Sequence, residues 1–403
     1  MLARWFINRA STTASLTANT AIPTAAERPT APRPAAQPTI QPPTAPPATP
    51  TAAATPTPEA QPTPEAQPTL IATEDESPAA LTQHGLTRER RNRDYEGAYA
   101  DYTAALTSDP TYADAYFYRG DLLVRMGDEK AGLADYEHAK QLDPNPAKAA
   151  YHWGRIEADR GNEAASMESF TKAIKLDPTF DQAYYARGVG HQDAGDAQAA
   201  FNDYSQAIAH NPNFAPAYYN RGNIYRERGQ SQNAIADYTE ALRADPLFVD
   251  AWVNRGLTHL DIQAYQPSYD DFTKAIELDP GMVKAYCERG TARIGLADYQ
   301  GAVEDTTQAL TLDPNWYCAN FTRGRAYAYL GKYQQAIDDF SIYIAAQPYS
   351  PQGYINRGRA YAQSGNAKAA VADWKIAAEI YQSLGNTQEY EKLMQIIREW
   401  ENL

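Results

Sequence analysis

The chain has 403 residues, with 28 Pro, 29 Tyr, two Cys and a formal net charge of -14. Such acidity excludes the basic surface that sequence-independent nucleic-acid binding needs, and it works against adhesion to anionic lipid. Two cysteines make neither a disulfide framework nor a cysteine-based metal site, and no apolar run reaches the length of a membrane span.

The first ten residues, MLARWFINRA, carry basic residues around Trp5, Phe6 and Ile7, an apolar run too short for the core of a signal peptide. From about Ser11 to Ser77 the chain is Thr, Pro, Ala and Gln, with TPEAQPTPEAQP as a tandem duplication at 57–68. So little apolar surface cannot offset the entropy of ordering, so residues 1–78 are expected to be disordered, a proline-biased, semi-rigid spacer. Two readings stay open for it: a plain tail, or a spacer from a cell envelope or a truncated membrane anchor. The compartment stays open with them.

Beyond the spacer the sequence repeats. Pro110, Pro144, Pro178, Pro212, Pro246, Pro280, Pro314 and Pro348 are each 34 residues apart, as are Gly120, Gly154, Gly188, Gly222, Gly256, Gly290, Gly324 and Gly358. Nine units follow over 79–384, beginning with 79–112 and ending with 351–384. Each predicts two helices. In 215–248, one runs from Pro216 to Arg228 and stops at Gly229. A second runs from Ser231 to Arg243, with Ala234, Tyr238, Ala241 and Leu242 on one face, and Asp245-Pro246 stops it. The mid-helix glycine costs about 1 kcal/mol against alanine, so its recurrence argues for close helix approach against the second-helix alanine. The ring that fills the next hole is Tyr102, Tyr136, Phe170, Tyr204, Tyr238, Phe272, Phe340 or Trp374. Thr306 breaks that series, and looser packing is expected in the seventh unit.

The pattern of aromatic (Tyr116, Tyr184, Tyr218, Trp252, Tyr286, Tyr354), Gly, Ala, aromatic, Ala and Pro resembles the tetratricopeptide repeat family. The resemblance implies an all-α, right-handed superhelical solenoid whose first helices line a concave wall. It covers roughly 79–384. The first unit departs from it, with Thr82 and Leu86 at signature positions, as does the ninth, with Gln382 in place of Pro. Gly385-Asn386 then punctuates the chain. A helix over 387–402, within 385–403, sets Tyr390, Leu393, Met394, Ile397 and Trp400 on one face and reads as a cap on the last repeat.

Catalysis finds little support. The sequence has no phosphate loop, no zinc-binding His-Glu-His spacing and no nucleophile elbow, and six histidines lie scattered across units. No cofactor or metal is implied. Asn320-Phe321-Thr322 is a glycosylation sequon, but it falls inside a predicted helix. Arginine precedes the packing glycine in seven units, and aspartate precedes the second-helix ring or its Thr306 substitute in eight. The third unit has lost both, with Trp153 and Ser169, which predicts an ion pair within each repeat, such as Arg221 with Asp237.

The resemblance also implies which residues face the groove. Phe117, Tyr151, Tyr185, Tyr219 and Phe321 stand at the fifth position of their units, and Asn220, Asn254 and Asn356 at the sixth. Arg155, Asn223, Arg325 and Arg359 stand at the ninth, and Lys284 at the second. The fifth-position rings are expected to point away from the core. Rings with amides suit an extended protein or peptide partner. A glycan or envelope polymer, or an enzyme on another chain that the array regulates, are the competing readings. A carboxylate clamp as found in some relatives is matched at Asn223, Asn254 and Lys284. It is broken by Tyr219 and Glu288, an acid that would repel its ligand. Family geometry makes Cys287 and Cys318 lateral neighbours, with a disulfide or two free thiols both open. Charge on the wall turns basic at Lys284, Arg325 and Arg359, which places the acidic part of a ligand over the last three repeats.

Overall fold

The computed structural model describes residues 77–89 and 94–401; the Thr/Pro-rich segment expected to be disordered lies outside them. Among the described residues the chain forms nineteen α-helices and no strand. They come in pairs: α1 (Pro78–Thr87) with α2 (Tyr95–Ser108), α3 (Ala113–Met126) with α4 (Glu129–Leu142), and α5 (Pro146–Asp159) with α6 (Glu163–Leu176). Next are α7 (Asp181–Asp193) with α8 (Ala197–His210), α9 (Ala215–Glu227) with α10 (Ser231–Ala244), and α11 (Val249–Asp261) with α12 (Tyr265–Leu278). Then come α13 (Val283–Gly295) with α14 (Tyr299–Leu312), α15 (Tyr317–Tyr329) with α16 (Tyr333–Ala346), and α17 (Pro351–Gln363) with α18 (Ala367–Ser383). The last helix, α19 (Thr387–Glu401), has no partner of its own and packs on α18.

Turn chemistry sets these boundaries. First helices end in a left-handed residue, usually glycine: Gly127, Gly161, Gly195, Gly229, Gly331 and Gly365 all have φ between 71° and 96°. Glycine adopts that conformation without a Cβ penalty. Gln263 and Ala297 take the same place in the sixth and seventh repeats at φ 60° and 62°, where a side chain is strained. Second helices often begin on an acidic or amide cap; Asp128, Asp196, Asp298 and Asn366 each accept from the backbone N–H three residues on. Six of them end at Asp-Pro, α8 at Asn211-Pro212 and α16 at Gln347-Pro348, because the residue before proline is driven out of the helical region. Asp109, Asp177, Asp245 and Asp313 are extended there and accept from the N–H two residues on.

Packing within a repeat turns on one contact. A Cβ on Gly222 would come within 2.8 Å of Tyr238 Cε1, and one on Gly188 within 2.7 Å of Tyr204 Cε1. The recurring glycine thus makes room for the second-helix ring rather than for the alanine that sequence suggested. All eight such rings are buried, from Tyr102 to Trp374. In the second repeat, whose alanine position is Gly132, the close approach is backbone to backbone, Gly120 against the Gly132 carbonyl. In the first, Gly85 takes the ring contact, one residue before Leu86. Thr306 is fully buried and bonds back to the Ala302 carbonyl at 2.6 Å. A Cβ on Gly290 would meet the Thr306 methyl at 2.9 Å and that of Thr322 at 3.7 Å, where other repeats present a ring.

Candidate functional site on the first-helix wall

First helices touch first helices: α1 with α3, α3 with α5, α9 with α11, α11 with α13, α13 with α15, and α15 with α17. That inner layer carries the residues singled out from sequence, and they separate into three groups.

The N-terminal group belongs to the interior. Phe117 is 1% exposed and stacks on His152 at 4.4 Å; Tyr151 is buried against Phe170 and Phe180. The expectation that fifth-position rings turn away from the core is corrected at both, since each fills the gap to its own second helix. Arg155 is buried too, with Nη1 2.7 Å from Asp121 and Nη2 3.6 Å from Glu89. His152 Nδ1 is 2.7 Å from the same Asp121, and Arg125 bridges Glu89 and Asp159 across three repeats. Burial weighs against the Arg155 charge, but Asp121 and Glu89 hold its pKa well above the usual range. Burial raises the Asp159 carboxyl despite Arg125 and Arg155. These charges pair with one another across the first three repeats, while Asp121 Oδ1 and Arg155 Nε stay buried without a hydrogen bond.

The middle group is internally bonded, with Tyr185, Tyr219, Asn220 and Lys284 half-buried and Asn223 and Asn254 buried, so these two amides do not face an open groove. Tyr185 packs on Phe214 at 5.1 Å and Tyr219 on Phe248 at 4.8 Å, each ring bridging to the residue before the next first helix. Asn254 donates to Asn223 Oδ1 at 2.9 Å and to the Tyr219 hydroxyl at 3.0 Å, and Tyr238 donates to Asn223 at 2.7 Å. Asn220 reaches the Tyr185 hydroxyl at 3.3 Å. Burial pushes the Tyr219 hydroxyl pKa up. Lys284 is no free cation. Burial lowers its pKa against the pull of Glu288, whose own carboxyl burial raises. Of the residues that match a carboxylate clamp, Asn223 and Asn254 are bonded to each other, and Tyr219 takes the place of the first lysine.

The C-terminal group stays open. Phe321 packs on Phe340 and Tyr343 but keeps part of its surface. Asn356 donates to the Gln352 carbonyl of its own helix. Arg325 is half-buried and Arg359 exposed, and neither has a hydrogen-bond or ion-pair partner among the described residues.

The arginines before the packing glycine behave otherwise. Arg119, Arg187, Arg221, Arg255, Arg289, Arg323 and Arg357 each grip the aspartate 16 residues on with Nε and Nη2, at 2.6–3.0 Å. Sequence reasoning missed the third member. Nη1 of the same arginines reaches a hydroxyl 16 residues back, in the preceding repeat: Thr103, Thr171, Ser205, Thr239, Thr273, Thr307 or Ser341. The signal was present, for Glu137 replaces the hydroxyl in the one place where Trp153 replaces the arginine.

Asn320 of the sequon is buried and donates to Asp339, so its amide is a structural group. Cys287 is buried, Cys318 half-buried, and both are free thiols; burial raises the pKa of each. No group of His, Cys, Asp and Glu among the described residues could hold a metal ion, and no helix there is long and apolar enough to cross a membrane.

Repeated helix pairs with an inner wall of first helices define a repeat scaffold for protein interactions. Tetratricopeptide repeat models match residues 87–145, 147–180, 215–247, 249–282, 283–315 and 321–383, and the chain belongs to the tetratricopeptide repeat family. No curated protein matches the sequence. Among solved structures, MamA is 26% identical, with 43% of this chain and 94% of that one covered and a TM-score of 0.38. A tetratricopeptide repeat protein from Parabacteroides merdae is 20% identical, covering 62% and 99%, at a TM-score of 0.47. YrrB, a repeat protein with an unusual peptide-binding site, is 22% identical, covering 46% and 96%, at 0.44.

Proposed function

We propose that the chain is a non-catalytic scaffold that holds an extended protein segment along its first-helix wall, mainly over the fifth to ninth repeats. The observation that carries this reading is the division of charge on the wall. In the first three repeats Arg125 and Arg155 are ion-paired on the wall, whereas Arg325, on the helix of Phe321, and Arg359, one repeat further, have no ion-pair partner among the described residues. Arginines left unpaired in a chain of net charge -14 supply a local positive field that an acidic segment meets. Tyr185 and Tyr219, already held by neighbours, add contact area at little entropic cost. The test captures a partner with the full chain and repeats the capture with two variants, Arg325→Glu/Arg359→Glu and Tyr185→Ala/Tyr219→Ala. Both should weaken it. Undiminished capture by both, with loss on changes to exposed second-helix residues such as Lys172 and Glu137, overturns the assignment.

A further inference from the structure

The array closes on the single helix α19 in place of a tenth helix pair. Where a tenth repeat would set a first helix, α19 lies against α18, burying Leu393 and Ile397 against Trp374 and Ala378. It leaves a half-open cleft of roughly 220 Å³ between Ile355 and Ala362 of α17 and Leu393, Ile396 and Trp400 of α19, with Trp374 as its floor. A cavity of about 150 Å³ is enough for a benzene ring, so this one has room for a single large apolar side chain. Arg359 and Gln363 supply its polar rim.

Two features connect the cleft to the wall. Two of the α17 residues that line it, Ile355 and Arg359, stand at the fifth and ninth positions of their repeat, the rows that carry Phe321 and Arg325 one repeat earlier. Arg359 and Arg325, one repeat apart on one row, have no partner among the described residues. The wall therefore ends in an apolar hole with two unspent cations leading to it.

We propose that this cleft is a binding site for an internal segment of a protein partner, seating one large apolar side chain such as Leu or Phe while flanking Asp or Glu residues meet Arg359 and Arg325. Two arginines on successive repeats call for more than one carboxylate, which a single chain terminus does not supply. An apolar pocket beside a cation selects such a segment twice over. A purely acidic run leaves the hole wet, and a purely apolar one leaves the arginines unmet. The inference rests on the groove reading for the direction from which the segment arrives.

The probe is a fluorescent peptide blocked at both ends, with one Leu followed by two Glu in a Gly/Ser host, titrated against the full-length protein by anisotropy. Saturable binding is expected. Changing both Glu to Gln, or Leu to Ala, should weaken it about tenfold or more. Arg325→Gln/Arg359→Gln should abolish the preference for Glu over Gln, and Ala362→Leu, which fills the cleft, should abolish the preference for Leu over Ala. Unchanged far-ultraviolet circular dichroism and melting would show each variant folded. No saturable binding, or equal affinity for the Glu and Gln peptides, overturns the proposal. Loss of a captured partner on Tyr185→Ala/Tyr219→Ala with no such discrimination would keep the groove and remove the cleft. Discrimination by the cleft with capture indifferent to the tyrosines would do the reverse.

Discussion

Arg221 donates to Asp237 twice, Nε to Oδ2 and Nη2 to Oδ1, both at 2.8 Å, with side chains only 18% and 8% exposed. Its Nη1 also reaches Ser205 at 3.2 Å, so one side chain closes its own repeat and ties it to the one before. Asp237→Ala should cost about 3 kcal/mol, because it strands a partly buried guanidinium. Ser205→Ala should cost less than about 1 kcal/mol, since water can replace the hydroxyl. Arg221→Met/Asp237→Leu should be milder than Asp237→Ala alone. Urea midpoints of the four proteins check the order.

Gly222→Ala sets two effects against each other. Alanine gains about 1 kcal/mol of helix propensity, but its Cβ would sit 2.8 Å from Tyr238 Cε1. Overpacking of a rigid ring costs about 1–3 kcal/mol, so the variant should melt lower. Gly229→Ala meets no neighbour within 4 Å and carries only the strain of φ 71°, about 1 kcal/mol. Calorimetric melting of the two separates a steric glycine from a conformational one.

His259 gives the fold an acid sensitivity. Burial lowers its pKa below 6.5, with Arg255 adding to the shift, and outweighs the pull of Asp271, 3.8 Å away. The unfolded chain then binds the proton more readily than the folded one. Stability is full above about pH 6.5 and falls as pH drops towards the folded pKa, by at most about 1.4 kcal/mol per unit. His259→Gln should flatten that part of the curve. Denaturant midpoints between pH 7.5 and 5 provide the check, and an unchanged slope in the variant would remove His259 as the source.

Removal of Thr387–Leu403 should expose Trp374, Ala377, Ala378 and Tyr381, now covered by Leu393 and Ile397. Trp400 also stands edge-on to Trp374 at 5.5 Å. The truncated chain should melt lower and self-associate, and Ile397→Asp should reproduce most of the loss. Melting and size-exclusion chromatography read both outcomes.

The fold was legible because its determinants are local and recur. Asp-Pro stops, turn glycines and the glycine–ring contact each need only a fixed spacing, and the joint loss of arginine and aspartate at Trp153 and Ser169 was enough to pair Arg221 with Asp237. The wall was less legible. Phe117 and Tyr151 owe their burial to Tyr136 and Phe170 on their own second helices and to His152 and Phe180, contacts that the pattern of one helix does not show. Phe180, Phe214 and Phe248 recur at the same interval and could have flagged the bridges to Tyr151, Tyr185 and Tyr219. The engagement of Asn223 with Asn254 lies in repeat-to-repeat distance, and so does the isolation of Arg359. Neither is visible along a sequence.

Gln263 and Ala297 hold left-handed turns in adjacent repeats, and Thr306 removes a ring from the second of these. An array whose units lean only on their neighbours inherits its mechanics from its weakest links. These three departures lie together between the ion-paired first repeats and the cleft beside α19, so the array should open there first on unfolding, and a segment lying across the seventh repeat would act as a splint.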